Sequence, residues 1–178
     1  MSIRRLEGAE REGAIPELAA ILADCVQGGA SVGFVLPFNA LDAEAYWRQA
    51  APRMDVLLVA GDGRRIDGTV SLKFAEFPNG RHRAEVVKLL VHRGARGQGL
   101  ATALMAALEE EALAAGRTTL VLDSDSDSDA VRLYRGLAWE ESGSVPRYCL
   151  SPDGRLKATT FMHKLLQKGD RPTEPSHG

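Results

Sequence analysis

Apolar residues recur at helical spacing in two long stretches of the chain. The first stretch spans residues 10–28 and ends at the pair Gly28 and Gly29. The second spans residues 97–115 and is followed by Gly116. Its apolar stripe repeats at every fourth position, through Leu100, Leu104 and Leu108. Apolar residues three or four positions apart, followed by glycine, are typical of amphipathic helices, so the pattern predicts two long helices.

Aliphatic and β-branched runs separated by turn residues predict the strands. Residues 55–60 and 66–76 flank the turn at 61–63, which favours a hairpin. Further strands are predicted at 2–6, 84–91, 118–123, 138–150 and 156–165. Two short helices are predicted, one at 43–51 capped by Asp42 and one at 130–137 capped by Asp127, Ser128 or Asp129. Residues 29–39 are predicted to form a loop.

The order of these elements predicts the fold class. The strand at 84–91, the helix at 97–115 and the strand at 118–123 form a βαβ unit, whose two strands run parallel. The other strands follow one another through turns, which favours antiparallel pairing. We expect an α+β fold, with a mixed and mostly antiparallel sheet, one parallel pair and helices packed on it. Residues 1–166 form a single domain, and residues 167–178 a flexible C-terminal tail.

Composition excludes several functional classes. The chain has 178 residues, 44% of them hydrophobic, and a formal net charge of -2. Without a long basic block it is a poor candidate for binding nucleic acid, and no apolar run approaches the ~20 residues of a membrane helix. Cys25 and Cys149 have no spacing typical of a metal site or a disulfide framework. A cytoplasmic protein with no metal site and no membrane partner is expected.

The segment joining the strand at 84–91 to the following helix is rich in glycine and arginine. Free N–H groups at a helix start, the helix dipole and a nearby arginine favour an anion, most often phosphate. A nucleoside triphosphatase loop is excluded, because Leu100 and Ala101 stand where Lys and Ser/Thr are required. The dinucleotide fingerprint fits in part, through Gly97, Gly99 and Asp123, but it breaks where Thr102 replaces Gly or Ala.

Residues 96–101 (RGQGLA) match the pattern R-x-x-G-x-A in full. This segment resembles the pyrophosphate-binding signature of the GCN5-related N-acetyltransferase (GNAT) superfamily. Residues 133–139 (LYRGLAW) are similar to the L-Y-x-x-x-G-F/W segment of that superfamily, with Ala138 at the glycine position. Residues 29–34, 82–91 and 159–161 look like the tabtoxin-resistance acetyltransferase group. The resemblance implies the GNAT fold, acetyl-CoA as co-substrate and direct acetyl transfer to an amine.

The resemblance also implies which residues form the site. Tyr134 is the candidate acid near the sulfur of the cofactor, and its alternative role is packing beside an apolar stripe of Ala130, Leu133 and Leu137. Glu85 and Asp123 are the candidate catalytic carboxylates, with a solvated charge and a turn cap as their respective alternatives. The expected cofactor-binding residues are Leu90, Val91, Arg96, Gly97, Gln98, Gly99, Leu100, Ala101, Thr102 and Tyr134.

Strand periodicity places Glu85 relative to the glycine loop. A period of two puts Glu85, Val87, Leu89 and Val91 on one face of their strand. Glu85 lies about 20 Å before Val91 at ~3.3 Å per residue, which suits the acceptor end of the site rather than the pyrophosphate end. Phe34, Phe38 and Trp47 are expected either to line the acceptor pocket or to pack in the core.

Three functions remain open from the sequence. The first is an N-acetyltransferase for a small amine or amino-acid-like acceptor such as a toxin or an antibiotic, acting as a monomer or a homodimer. The second is an NAD-dependent oxidoreductase, which would need the glycine loop to bind the dinucleotide. The third is a non-catalytic acyl-CoA-binding sensor, which would keep the fold without the acceptor chemistry.

Overall fold

A computed structural model describes residues 2–62 and 65–167. The predicted tail lies outside these residues except for Gln167, which is exposed. The strands are β1 (Ser2–Arg5), β2 (Val56–Gly61), β3 (Ile66–Phe74), β4 (Arg83–Val91), β5 (Thr119–Asp125), β6 (Glu140–Leu150) and β7 (Leu156–Leu165). The α-helices are α1 (Ala9–Gly13), α2 (Ile15–Gln27), α3 (Ala40–Ala50), α4 (Leu100–Ala114) and α5 (Asp129–Gly136).

The described strands form one seven-stranded sheet in the order β1-β2-β3-β4-β5-β7-β6. Within it β4 and β5 are parallel, and each other neighbouring pair is antiparallel. Helix α4 connects the two parallel strands. The predicted α+β class with one βαβ unit is therefore confirmed.

Two apolar cores hold the sheet between helices. On one face α2 and α3 contribute Leu22 and Trp47, which pack in the same cluster as Leu57 of β2. On the other face α4 contributes Leu104 and Leu108 to a second cluster. All five side chains are fully buried, and burial of each large apolar side chain contributes about 1.5–3 kcal/mol. The central strands are thereby fixed on both faces, which rigidly positions the ends of β4 and β5.

Four predicted helices differ from the structure in a boundary or a cap. The helix predicted at 97–115 is α4, which begins at Leu100 because Gly99 is its capping residue. The stretch 10–28 forms two helices that meet at Ala14, because Pro16 in the first turn of α2 cannot continue a preceding helix. Helix α3 begins at Ala40, and its cap is Asn39 rather than Asp42. The Asn39 side chain accepts from the N–H of Asp42, whose carboxylate accepts from the N–H of Asn39. At the start of α5, Ser128 holds the capping position, yet no side chain caps this helix.

A β-bulge interrupts strand β4. Thr69 of β3 is in register with Leu90, but Ser71 is in register with Val87, so β4 contains one residue more than β3 across this stretch. Lys88 lies at the extra position with a φ of 56°, in the left-handed region.

The bulge changes which side chains share a face. Val87 and Leu90 pack with the core on the α2 and α3 side, whereas Leu89 and Val91 pack with the core on the α4 side. The predicted common face of Glu85, Val87, Leu89 and Val91 is therefore wrong, because an inserted residue shifts the two-residue alternation. Ala84 and Val86 at the start of β4 pack in the core on the α4 side.

Candidate active site

Strands β4 and β5 pair over a short distance and then part. Their ladder consists of Arg83 with Thr119, Ala84 with Leu120 and Glu85 with Val121. The rest of β4 continues along β3, and the rest of β5 continues along β7. The parting opens a cleft between the carboxyl ends of two parallel strands, which is where ligands bind in sheets of this kind.

A glycine loop lies at the end of β4 and leads into α4. Gly97 and Gly99 have φ values of 75° and 76°, which favour glycine because other residues are strained there. Gly99 is the capping residue of α4, and no side chain caps the helix. In the described part of the chain, no group accepts a hydrogen bond from the N–H groups of residues 97–102. These N–H groups and the helix dipole form a suitable site for an anion.

Arg96 lies beside this loop and is exposed. Its Nε donates to the carbonyl oxygen of Val91 at 3.2 Å, and its Nη2 lies 3.8 Å from the sulfur of Cys25. Burial raises the pKa of the Cys25 thiol, and the charge of Arg96 opposes that shift. The guanidinium is therefore positioned against the base of the loop and remains open to solvent.

Asp24 of α2 anchors the first part of the loop. Its carboxylate accepts from the backbone N–H of Arg93 and from the Nε of Arg93, each at 2.8 Å. Burial alone would raise the pKa of Asp24, but the hydrogen bonds from Arg93 outweigh it, and the pKa lies below its ordinary value. The loop is thus attached to a buried helix by a charge-assisted contact.

The remaining predicted cofactor residues differ in exposure. Leu90 and Leu100 are buried, Val91 and Ala101 are half-buried, and Gln98 and Thr102 are exposed. Gly68 of β3 allows α4 to approach the sheet here, because a Cβ at that position would lie 3.0 Å from a methyl carbon of Leu104. Val91 and Leu100 pack in the core on the α4 side, Leu90 packs in the core on the opposite face, and the polar members face solvent.

Tyr134 is buried in α5 with 6% exposure. Its ring lies 5.9 Å from that of Trp139, measured between centroids. Burial, followed by the negative charge of Asp123, raises the pKa of Tyr134 far above its ordinary value. The hydroxyl therefore remains protonated at neutral pH, close enough to Asp123 to respond to its charge.

The packing stripe predicted on α5 is confirmed in part, because Ala130 and Leu137 pack against the core on the α4 side. Val131 and Tyr134 are the buried residues of this helix, while Ala130, Leu133 and Leu137 are half-buried.

Glu85 and Asp123 are both exposed near the parting of the strands, and Lys88 lies near them. Burial, followed by the charge of Lys73, lowers the pKa of Lys88, while Asp123 and Glu85 oppose that shift. Lys88 was missed by the sequence analysis. The available signal was a single lysine inside the apolar run VVKLLV at 86–91.

The structure therefore brings the three predicted catalytic residues and Lys88 into one electrostatic neighbourhood. Asp123 influences both Tyr134 and Lys88, and Glu85 influences Lys88. The glycine loop begins beyond Val91, at the carboxyl end of β4, whereas Glu85 lies near the start of that strand.

The three aromatic residues considered for the acceptor pocket divide between two roles. Trp47 and Phe38 belong to the buried core. Phe34 is half-buried, and its ring lies 5.7 Å from the Nζ of Lys88. Of the three, Phe34 therefore faces the charged end of the cleft.

The described residues lack two further features. None of the helices in residues 2–62 and 65–167 is both long enough and apolar enough to cross a membrane. Over the same ranges, no group of three or more His, Cys, Asp or Glu side chains is placed to hold a metal ion.

Comparisons with a family model, with curated proteins and with solved structures all match acetyltransferases. The model of the Acetyltransferase (GNAT) family matches residues 21–139. The chain is 36% identical over 87 residues to N-acetyltransferase 8B of Rattus norvegicus, an alignment covering 48% of this chain and 39% of the relative. The chain spans less than half the length of the curated relatives it matches.

Two solved structures share the fold over nearly the whole chain. The ribosomal-protein-alanine N-acetyltransferase of Brucella melitensis superposes with a TM-score of 0.74 at 26% identity, covering 93% of this chain and 100% of that one. An acetyltransferase of Salmonella typhimurium, solved with its cofactor acetyl-CoA, superposes with a TM-score of 0.77 at 21% identity, covering 97% of each chain.

Proposed function

The chain belongs to the acetyltransferase (GNAT) family, and we propose that it transfers the acetyl group of acetyl-CoA to the nitrogen of a small amine or amino-acid-like acceptor. One observation carries the proposal. The parallel strands β4 and β5 part after three residue pairs, and the uncapped glycine loop follows at the end of β4. This combination provides a cleft for an extended thioester arm beside a site for its pyrophosphate.

Residues of the loop would bind the pyrophosphate of acetyl-CoA. The free N–H groups of residues 97–102, including Gly97, Gln98, Gly99 and Thr102, would donate to its oxygens, and exposed Arg96 would supply a positive charge. Leu100 and Ala101 would keep α4 docked behind the loop. Leu90 and Val91 would border the pantetheine arm at the end of β4, beyond the point where β4 leaves β5.

The acetyl transfer requires a proton to leave the amine and another to reach the departing thiolate. Glu85 and Asp123 are the proposed bases, because both are exposed carboxylates at the acceptor end. A backbone N–H of β4 beyond the parting would stabilise the oxyanion of the tetrahedral intermediate. Tyr134, which keeps its proton at neutral pH because burial raises its pKa, would donate that proton to the thiolate of CoA.

The proposed class of acceptor rests on the motifs at 29–34, 82–91 and 159–161, which resemble the tabtoxin-resistance acetyltransferase group. They support a toxin-like or antibiotic-like acceptor carrying a free amine. The two free thiols, Cys25 and Cys149, favour a reducing compartment such as the cytoplasm, with the enzyme as a monomer or a homodimer.

Calorimetric titration of the purified protein with acetyl-CoA, CoA, NAD and ATP tests the proposal. We expect saturable binding of acetyl-CoA and CoA and no binding of NAD. Binding of NAD without acetyl-CoA would favour the oxidoreductase. A panel of amines and amino acids, assayed by release of the CoA thiol, then tests the transfer. Acetyl-CoA binding with no thiol release from any amine would favour the non-catalytic sensor.

A further inference from the structure

The ammonium of Lys88 contacts three parts of the fold. Its Nζ donates to the carbonyl oxygen of Val32 at 2.9 Å. The same atom lies 5.7 Å from the ring centroid of Phe34 and 5.3 Å from that of Tyr46 in α3. A carbonyl oxygen and two aromatic faces are all attractive to a cation. Lys88 therefore connects β4 to residues 29–39, here named the acceptor loop, and to α3.

The acceptor loop is fixed at a second place, on the far side of the cleft. The N–H of Leu36 donates to the carbonyl oxygen of Pro152 at 2.8 Å, in the turn between β6 and β7. The hydroxyl of Ser31 lies 3.7 Å from the sulfur of Cys149 near the end of β6. In the sheet, β5 and β7 lie between β4 and β6. The loop therefore crosses the carboxyl end of β5, where Asp123 stands.

The bulge explains why a lysine can reach this position. The inserted residue places the Lys88 side chain on the α2 and α3 side beside that of Val87, instead of on the α4 side as strict alternation would require. Gly33 lies next to Nζ with a φ of 97°, a left-handed backbone conformation that favours glycine at this turn of the loop. A neutral side chain of similar length would keep the packing and lose the charge-assisted hydrogen bond.

We infer that Lys88 is a positioning residue whose ammonium holds the acceptor loop over the carboxyl end of β5 and thereby shapes the acceptor side of the cleft. The catalytic consequence rests on the proposed acetyl transfer. The structural consequence does not, because it concerns the attachment of the loop itself.

The thiol of Cys149 provides a direct measure of loop attachment. Cys149 is half-buried and contacts Ser31 of the loop, whereas Cys25 is buried in the core with 2% exposure. Alkylation by iodoacetamide, followed by mass spectrometry of each cysteine peptide, therefore separates loosening of the loop from global unfolding. We expect Lys88→Met to speed alkylation of Cys149 about tenfold without changing that of Cys25, from the loss of one charge-assisted hydrogen bond.

Two variants serve as controls. Lys73→Met removes a neighbouring exposed charge that makes no contact with the loop, so both alkylation rates should stay unchanged. Lys88→Arg keeps a cation and should restore much of the protection of Cys149. An unchanged rate at Cys149 in folded Lys88→Met overturns the inference. If Cys25 also becomes reactive, the Lys88→Met variant has unfolded. The Phe34→Leu variant then provides the test. If Phe34→Leu does not speed alkylation of Cys149 alone, the inference fails.

Kinetics extend the test to the proposed reaction. Lys88→Met should raise the acceptor KM about tenfold while the affinity for acetyl-CoA stays the same. A fall in kcat with an unchanged KM would overturn the positioning role. Because the alkylation experiment uses neither acetyl-CoA nor acceptor, a failed acetyltransferase assay and a failed loop attachment remain distinguishable.

Discussion

Glu85 is in register with Val121 at the last pair of the parallel ladder between β4 and β5. On its other side it is in register with Lys73 of β3. The Glu85 carboxylate therefore stands where the sheet begins to open. This position is away from the glycine loop, as the proposed base requires.

Removal of a catalytic carboxylate should lower turnover. We expect Glu85→Gln or Asp123→Asn to reduce kcat about 100-fold while acetyl-CoA affinity stays constant, because a general base contributes roughly 10²–10⁴-fold. Glu76→Gln, an exposed carboxylate just beyond β3, is the matched control. Stopped-flow measurement of thiol release over a series of pH values gives the pH profile of kcat. The base is the residue whose replacement abolishes the fall of kcat at acidic pH. Full activity in both variants would exclude both carboxylates.

Tyr134→Phe should separate catalysis from packing. The phenyl ring retains the contact with Trp139, so the melting temperature should change little. Loss of the hydroxyl should lower kcat about 100-fold if Tyr134 protonates the leaving thiolate. Calorimetry should find acetyl-CoA binding unchanged. Wild-type turnover in this variant would leave Tyr134 with a packing role.

Much of the fold follows from local patterns in the sequence. The glycines after β4 and after α4 divide this region into a strand, a helix and a strand, and β7 has the predicted bounds of 156–165. These elements are long and strongly periodic, so tertiary contacts do not change their type. The glycine loop was predictable because its left-handed turns favour glycine, which is visible in the sequence.

The acceptor side of the cleft could not be predicted in this way. The bulge at Lys88 depends on the pairing of β4 with β3, which no local pattern of β4 encodes. The contact of Lys88 with Val32 joins residues 56 positions apart in the chain. Such a contact exists only after the sheet, α3 and the acceptor loop have assembled, so sequence spacing alone could not identify Lys88.

Gly99→Ala tests the left-handed geometry of the loop. No atom lies within 4 Å of a Cβ built at Gly99, so the cost is conformational rather than steric and should be about 1 kcal/mol in the free energy of unfolding. Acetyl-CoA affinity should fall as the N–H groups turn away. Gly136→Ala is the matched control, because its Cβ also meets no atom within 4 Å and its φ is not positive. Urea unfolding and calorimetry measure both effects, and equal behaviour of the two variants would contradict the prediction.

Arg96→Ala should weaken acetyl-CoA binding by roughly 10- to 150-fold, since a charge-assisted contact to an anion contributes about 1.5–3 kcal/mol. The acceptor KM should change much less, because Arg96 follows the carboxyl end of β4 and Glu85 lies near the start of that strand. Arg132→Ala, which removes an exposed arginine paired with Asp129 on α5, is the control for general charge effects. Equal acetyl-CoA affinity in Arg96→Ala and the wild type would remove Arg96 from the pyrophosphate site.

Asp24→Asn should alter the stability of the loop anchor in a pH-dependent way. The hydrogen bonds from Arg93 overcome the effect of burial and hold the pKa of Asp24 below its ordinary value of 3.8. The folded state therefore binds fewer protons at this site than the unfolded chain, and the stabilisation is present above the ordinary pKa and is lost as pH falls through the folded pKa.

At neutral pH we expect Asp24→Asn to lower the free energy of unfolding by about 1–3 kcal/mol, because the Asp24 side chain is only 14% exposed and accepts two hydrogen bonds from Arg93. The difference from the wild type should shrink on acidification, once the carboxylate is protonated in both states. Urea unfolding at a series of pH values from about 7 down to about 3 measures it. A difference that stays constant over this range would mean that the charge of Asp24 does not stabilise the loop, and that its contact with Arg93 acts as a neutral hydrogen bond.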